Sequence, residues 1–179
     1  YYFYDIQGHV FSDLTEKDRV SFSIYNGIDN LIFDDLGLSA NWGNDTYSIA
    51  YRRVINEKLL GNFLLASSKF FTKFNLGGGD GLINNNKIQD QTLSANLTLF
   101  ESSNIEWRLG GHIKQLDIQY LSTFLKDTSF FIGENPMEAG IYGKLKWKLT
   151  SKMILEPGIR YNYYSVFFDK PYIDLRLGT

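Results

Sequence analysis

Cysteine is absent from the 179 residues, which excludes disulfide staples, thiol nucleophiles and Cys-ligated zinc. Proline is scarce at 3. No excess of one charge exists either: 18 Lys and Arg stand against 20 Asp and Glu, spread along the chain. Without a basic stripe or tail there is no electrostatic footprint for DNA or RNA, and no nucleic-acid partner is expected. No run approaches the roughly 18 consecutive apolar residues of a membrane-spanning helix. That excludes helical membrane proteins but not barrels, because a transmembrane strand needs only about 9–11 residues with every second one apolar. A mean hydropathy of −0.22 is compatible with such strands. The first residues, Tyr1 to Asp5, lack the basic start and apolar core of a signal peptide. An exported protein would therefore begin here after its signal or well inside the mature chain. What the sequence does have is aromatic residues: 12 Tyr, 14 Phe and 3 Trp.

The dominant period is two. Met137, Ala139, Ile141, Gly143, Leu145, Trp147 and Leu149 alternate with Glu138, Gly140, Tyr142, Lys144, Lys146, Lys148 and Thr150. A helix would scatter these residues around its circumference, whereas a strand puts them on opposite faces. The same alternation runs through Leu93–Leu99, through Ile105–Ile113 and through Val20, Phe22 and Ile24. The pattern predicts strands over 1–13, 19–29, 39–54, 59–76, 88–100, 105–122, 136–150, 153–167 and 172–178, and no helix. Within 59–76 the phase is unclear, since Phe63 and Leu65 oppose Leu64, Ala66 and Phe70. Between His112 and Tyr120 the apolar phase shifts, as a bulge or a strand that has left the membrane would make it do.

Short polar turns at 15–18, 56–58, 102–104 and 151–152 alternate with longer links near 30–38, 77–87 and 123–135, and a shorter one near Phe168 to Pro171. A meander with one blunt rim and one elaborated rim is the pattern of outer-membrane barrels. The fold class expected is all-β: an antiparallel up-and-down meander of about nine strands from a larger transmembrane barrel. Faces carrying Leu, Ile, Ala and Trp would meet outer-membrane lipid. Faces carrying Thr, Ser, Asn, Lys, Arg and Glu would line the interior. Trp42, Tyr47, Phe70, Phe71, Trp147, Tyr161, Tyr163 and Tyr164 fall toward strand ends, as interfacial girdles require.

The residues also resemble a known family. Asp18-Arg19 followed by SFSIYNGIDN, then Trp42-Gly43-Asn44, GGHIK at 110–114, MEAGIYGKLKWKLTSKMILEPGIRYNYY at 137–164 and PYIDLRLGT at 171–179 are similar, in order and spacing, to consecutive barrel segments of TonB-dependent receptors of the Bacteroidetes type. The chain departs from that pattern at Asp174-Leu175-Arg176, where a Pro-Arg pair is usual. Such receptors have barrels of about 22 strands. The resemblance implies that residues 1–179 are an internal stretch of barrel wall, with the plug domain and the C-terminal strands elsewhere. It further implies a bacterial outer-membrane location and active uptake of a scarce nutrient: a siderophore complex, cobalamin or an oligosaccharide. The partners implied are the TonB complex, through a plug domain absent here, and a surface lipoprotein. The alternatives are another outer-membrane barrel (a passive porin or assembly factor) and a soluble β-rich binding module.

Candidate substrate-path residues on the expected lumen face are Arg52, Arg108, His112, Lys144 and Arg160; the charge of the arginines and the lysine could draw in an anionic ligand. Asp5, Glu106, Glu138 and Glu156 share that face, so cross-strand pairing competes with ligand capture. His9 and His112 have no partner His at a spacing that builds a metal site, and no metal or cofactor is expected. The GGGDGLINNN segment offers Asp80, Asn84, Asn85 and Asn86 as loop candidates for closing on substrate or holding calcium. No Lys-Ser/Thr follows at phosphate-loop spacing. For catalysis, Ser12 lies near His9 and Ser94 could approach His112, but neither serine sits in a strained nucleophile turn, so no enzyme is expected.

Overall fold

Alternation of apolar and polar residues gives one antiparallel sheet. The structure, a computed structural model, describes residues 1–78 and 81–165 and the backbone of 172–178. The strands are β1 (Tyr2–Asp13), β2 (Asp18–Phe33), β3 (Leu38–Asn56), β4 (Leu59–Leu76), β5 (Leu82–Phe100), β6 (Ile105–Phe124), β7 (Asp127–Glu134), β8 (Met137–Thr150), β9 (Met153–Tyr164) and β10 (Tyr172–Gly178). The order β1-β2-β3-β4-β5-β6-β8-β9-β10 is a meander of chain neighbours broken at β7, which pairs the outer part of β6 while β8 pairs the rest. A 3-10 turn, Asp34–Leu36, joins β2 to β3.

The register builds continuous rows across the sheet. Val10, Phe22, Ile49, Leu65, Leu93, Ile113 and Ala139 are successive cross-strand partners. The neighbouring row on the other face runs Ser23, Ser48, Ala66, Thr92, Lys114 and Glu138. Among the described residues no hydrophobic side chain is buried. Leu93 is 56% exposed, Leu109 53% and Ile141 65%, so no second layer covers the apolar face. A soluble sandwich would bury these side chains; a sheet solvated by lipid leaves them bare of protein.

Several sequence expectations change here. Among the described residues the links near 30–38, 77–87 and 123–135 are largely strand: 34–37 separates β2 from β3, and β5 already begins at Leu82. The third contains β7, entered through Leu125 (φ 51°) and Lys126 (φ 70°). Asn84, Asn85 and Asn86 accordingly lie in β5 and not in a loop. Asp80 and the link near Phe168 to Pro171 fall outside the described residues. These segments lost the strict alternation because the outward face no longer stays apolar there, with Asn30, Ser39, Asn85 and Lys87 on it, not because the chain stops pairing. The phase shift after His112 has the same origin. The β5–β6 register runs unbroken from Leu82↔Phe124 to Phe100↔Glu106, and the irregularity in β6 comes later, against β7 at Ser122/Thr123.

Candidate functional site

The polar face is built by the parity of each strand. On β6 it carries Glu106, Arg108, Gly110, His112 and Lys114; on β8, Glu138, Gly140, Tyr142, Lys144 and Lys146. Register makes Arg108 the direct partner of Lys144, and Glu106 that of Lys146. Like charges facing each other across a strand pair are costly unless acids intervene. They do: Arg108 Nε donates to Glu106 at 2.5 Å, and Lys144 donates to Glu156 on β9. Lys114 is 2.9 Å from Asp90 on β5. The His112 ring lies against Gly140, and its Nε2 is 2.9 Å from Glu138 Oε1, which also accepts from the Tyr164 hydroxyl at 3.2 Å. Tyr142 reaches over Gly110 and donates to Asn96 on β5 at 2.7 Å. A Cβ at Gly110 would come within 2.6 Å of the Tyr142 ring, so only glycine admits this crossing.

Of the five substrate-path candidates, Arg108, His112 and Lys144 are thus drawn together on β6 and β8, with Arg160 next to them as the partner of Tyr142. The Nε of Arg160 is buried without a hydrogen-bond partner among the described residues. Arg52 stands apart on β3, in register with Arg19 and Asn62. Its neighbour Arg19 donates to both oxygens of Asp13, at 2.6 and 2.9 Å. The charges of this face are largely spent on one another, which sets its field well below that of an unpaired cationic channel. His9 lies 2.8 Å from Ser23 on β2, not beside Ser12, while Ser94 is the register partner of His112.

Sequence reasoning missed a second group on this face. Trp42, Phe70 and Tyr164 have the parity of the polar face and belong to no lipid girdle, unlike Tyr47, Phe71, Trp147, Tyr161 and Tyr163. Phe74, Tyr120 and Phe130 share the inward parity. Strand parity carried from the clear stretches of β5 and β6 through the register would have found them. The unclear phase of 59–76 hid the link.

At the blunt rim, Asp18 accepts hydrogen bonds from Thr15 at 2.6 Å and Tyr51 at 2.5 Å, with Arg53 3.8 Å away. The Thr15 and Tyr51 hydroxyls, helped by Arg53 and Lys17, hold its carboxyl below the usual carboxylate range.

No protein-family model matches the chain, and no curated protein does. Solved structures do. The siderophore receptor PirA of Pseudomonas aeruginosa superposes with a TM-score of 0.71 at 16% identity over 97% of this chain and 29% of its own. The alcaligin outer-membrane receptor FauA of Bordetella pertussis gives 0.71 at 14% identity, over 98% of this chain and 31% of its own. The ferric preacinetobactin receptor BauA of Acinetobacter baumannii gives 0.62 at 12%, over 98% and 36%. The likeness is one of fold. The meander is of the kind found in outer-membrane β-barrel receptors, and the chain spans about a third of the length of these three.

Proposed function

We propose that this chain is barrel wall of a TonB-dependent outer-membrane receptor for active uptake of a scarce nutrient. The observation that carries the reading is the two-sided sheet. Rows of aliphatic side chains stay uncovered on one face, and rows of hydrogen-bonded polar residues occupy the other. The fold likeness to siderophore receptors supports it, as does the order of family-like motifs along the sequence. In this reading the apolar rows meet lipid, and Arg108, His112, Lys144 and Arg160 line the lumen beneath the mouth. A plug domain elsewhere in the protein couples to the inner membrane.

Adjacent residues at one depth provide the test. Ile49 is 48% exposed on the apolar face, while Ser48 is on the polar face. Arginine on the lipid face near the midplane costs about 2–4 kcal/mol, against little in a wet lumen. In the full-length protein, Ile49→Arg should sharply reduce the folded barrel recovered from outer membranes, with Ser48→Arg near wild type. Equal recovery of the two would overturn the membrane-wall reading. Growth on the limiting nutrient that persists after TonB is removed would instead favour a passive porin.

A further inference from the structure

The outer part of the inward face has a composition unlike the charged rows below it. Register aligns Trp42 on β3, Thr72 on β4, Asn86 on β5, Tyr120 on β6 and Ile132 on β7 in one row. The flanking rows pair Asn44 with Phe70 and Phe74 with Asn84. Phe70 is 41% and Phe130 52% exposed, and Trp42 and Tyr120 between them are half-buried, so each ring keeps surface open to a ligand. Tyr120 packs edge-on against Phe130 at 5.7 Å, and its hydroxyl donates to Asn84 Oδ1 at 3.3 Å. That bond leaves the Asn84 amide protons available. Asn44 and Asn86 have no side-chain hydrogen-bond partner among the described residues.

Charge is missing from this surface by placement and not by shortage. Lys69, Lys73 and Lys87 belong to the same stretches of β4 and β5, and all three have the opposite parity. Along the inward positions of 38–46, 70–76, 82–88 and 116–124 there is no charged residue. Among the described residues the acids at its edges are Asp29 beside Trp42, Glu134 beside Ile118, and Asp90 beside Leu116, the last tied to Lys114 of the charged rows below. An anionic metal chelate would meet no cation here. An amide, which both donates and accepts, matches a hydroxyl, which does the same. Exposed aromatic faces suit the C–H faces of a ring. Across β3 to β7 the surface extends about 19 Å at the usual strand spacing, which suits an elongated ligand more than a compact one.

Building on the receptor reading, we propose that this platform binds a neutral oligosaccharide, its rings stacking on Trp42 and Tyr120 and its hydroxyls bonding Asn44, Asn84 and Asn86. The test uses the full-length receptor purified in detergent. It is titrated with four neutral linear hexasaccharides (gluco-, xylo-, manno- and galacto-configured) and, separately, with ferric catecholate and ferric hydroxamate complexes. Binding of at least one hexasaccharide is expected, weakened about tenfold or more by Trp42→Ala and by Asn86→Ala. Lys73→Ala, on the other face, should leave it unchanged. Heat-dependent gel mobility checks that each variant is a folded barrel. Binding of a ferric complex and of no sugar would overturn the proposal while leaving the receptor reading intact. Sugar binding untouched by both substitutions in folded barrels would also overturn it, since the platform would then be covered by the receptor's own segments. If nothing binds and uptake does not depend on TonB, the receptor reading falls and takes this proposal with it.

Discussion

At Gly110 the polar face is stitched across three strands, because Tyr142 on β8 crosses the bare backbone of β6 to reach Asn96 on β5. A side chain at that glycine would displace the ring and strand the Asn96 carbonyl. Gly110→Val is expected to destabilise the folded barrel by about 1–3 kcal/mol, the usual cost of overpacking, read from urea unfolding in lipid vesicles. Tyr142→Phe, which keeps the ring and loses only the hydroxyl, should cost about 1 kcal/mol. At the rim, Asp18 carries a pH dependence of known sign. Its carboxyl titrates lower folded than unfolded, so the stability it lends the 14–17 turn is complete above the ordinary Asp range. That stability is lost as pH falls through the depressed value. Protection of the Lys17 and Asp18 amides, measured against the intrinsic exchange rate at each pH, should therefore fall on acidification in the wild type, and Asp18→Asn should flatten the profile.

The strands themselves overshoot what a bilayer needs. β3 has 19 residues and β6 has 20, against about 9–11 for a crossing. The crossing portions were legible in the sequence, because lipid on one side and water on the other enforce period two, as in Leu93–Leu99 and Ile105–Ile113. Beyond Ile113 the demand ends. Gln115, Asp117 and Gln119 continue the outward parity with polar residues, while Leu116 and Ile118 occupy the inward one. The pattern inverts and reads as a loop or a bulge although the pairing continues. The Asn84–Asn86 run failed for the same reason: three amides in a row carry no alternation, yet their backbone is paired on both sides. Of the candidate site, the cations of β6 and β8 were legible by parity alone. Their acid partners were legible only as a set, and the ring-and-amide platform not at all. The β6–β7 reversal is a two-residue turn with both residues at positive φ, a geometry that favours Asn-Gly over the Leu125-Lys126 present. Replacing the pair with Asn-Gly should slow proteolysis of this hairpin on intact cells; faster cleavage would contradict the turn geometry.

Taken whole, the molecule has no interior of its own, since no apolar side chain among the described residues is buried. In the proposed receptor its apolar rows would meet a bilayer in place of a core. The three tryptophans report on this directly, because Trp107 and Trp147 have the outward parity and Trp42 the inward. In vesicles containing brominated lipid, fluorescence from single-tryptophan versions should be strongly quenched for Trp107 and Trp147 and barely changed for Trp42. The reverse order would mean that the sheet's faces are assigned the wrong way round.

Pairing only between chain neighbours has a consequence for time. From β1 to β6, and again from β8 to β9, every strand finds its partner one turn away, so no long loop must close before a contact forms. Hairpins can zip in sequence as the chain emerges, each offering the next a template edge. In the proposed barrel the slow event is then delivery of wet-and-oily ribbons into lipid, and the tempo of assembly belongs to the membrane more than to the chain.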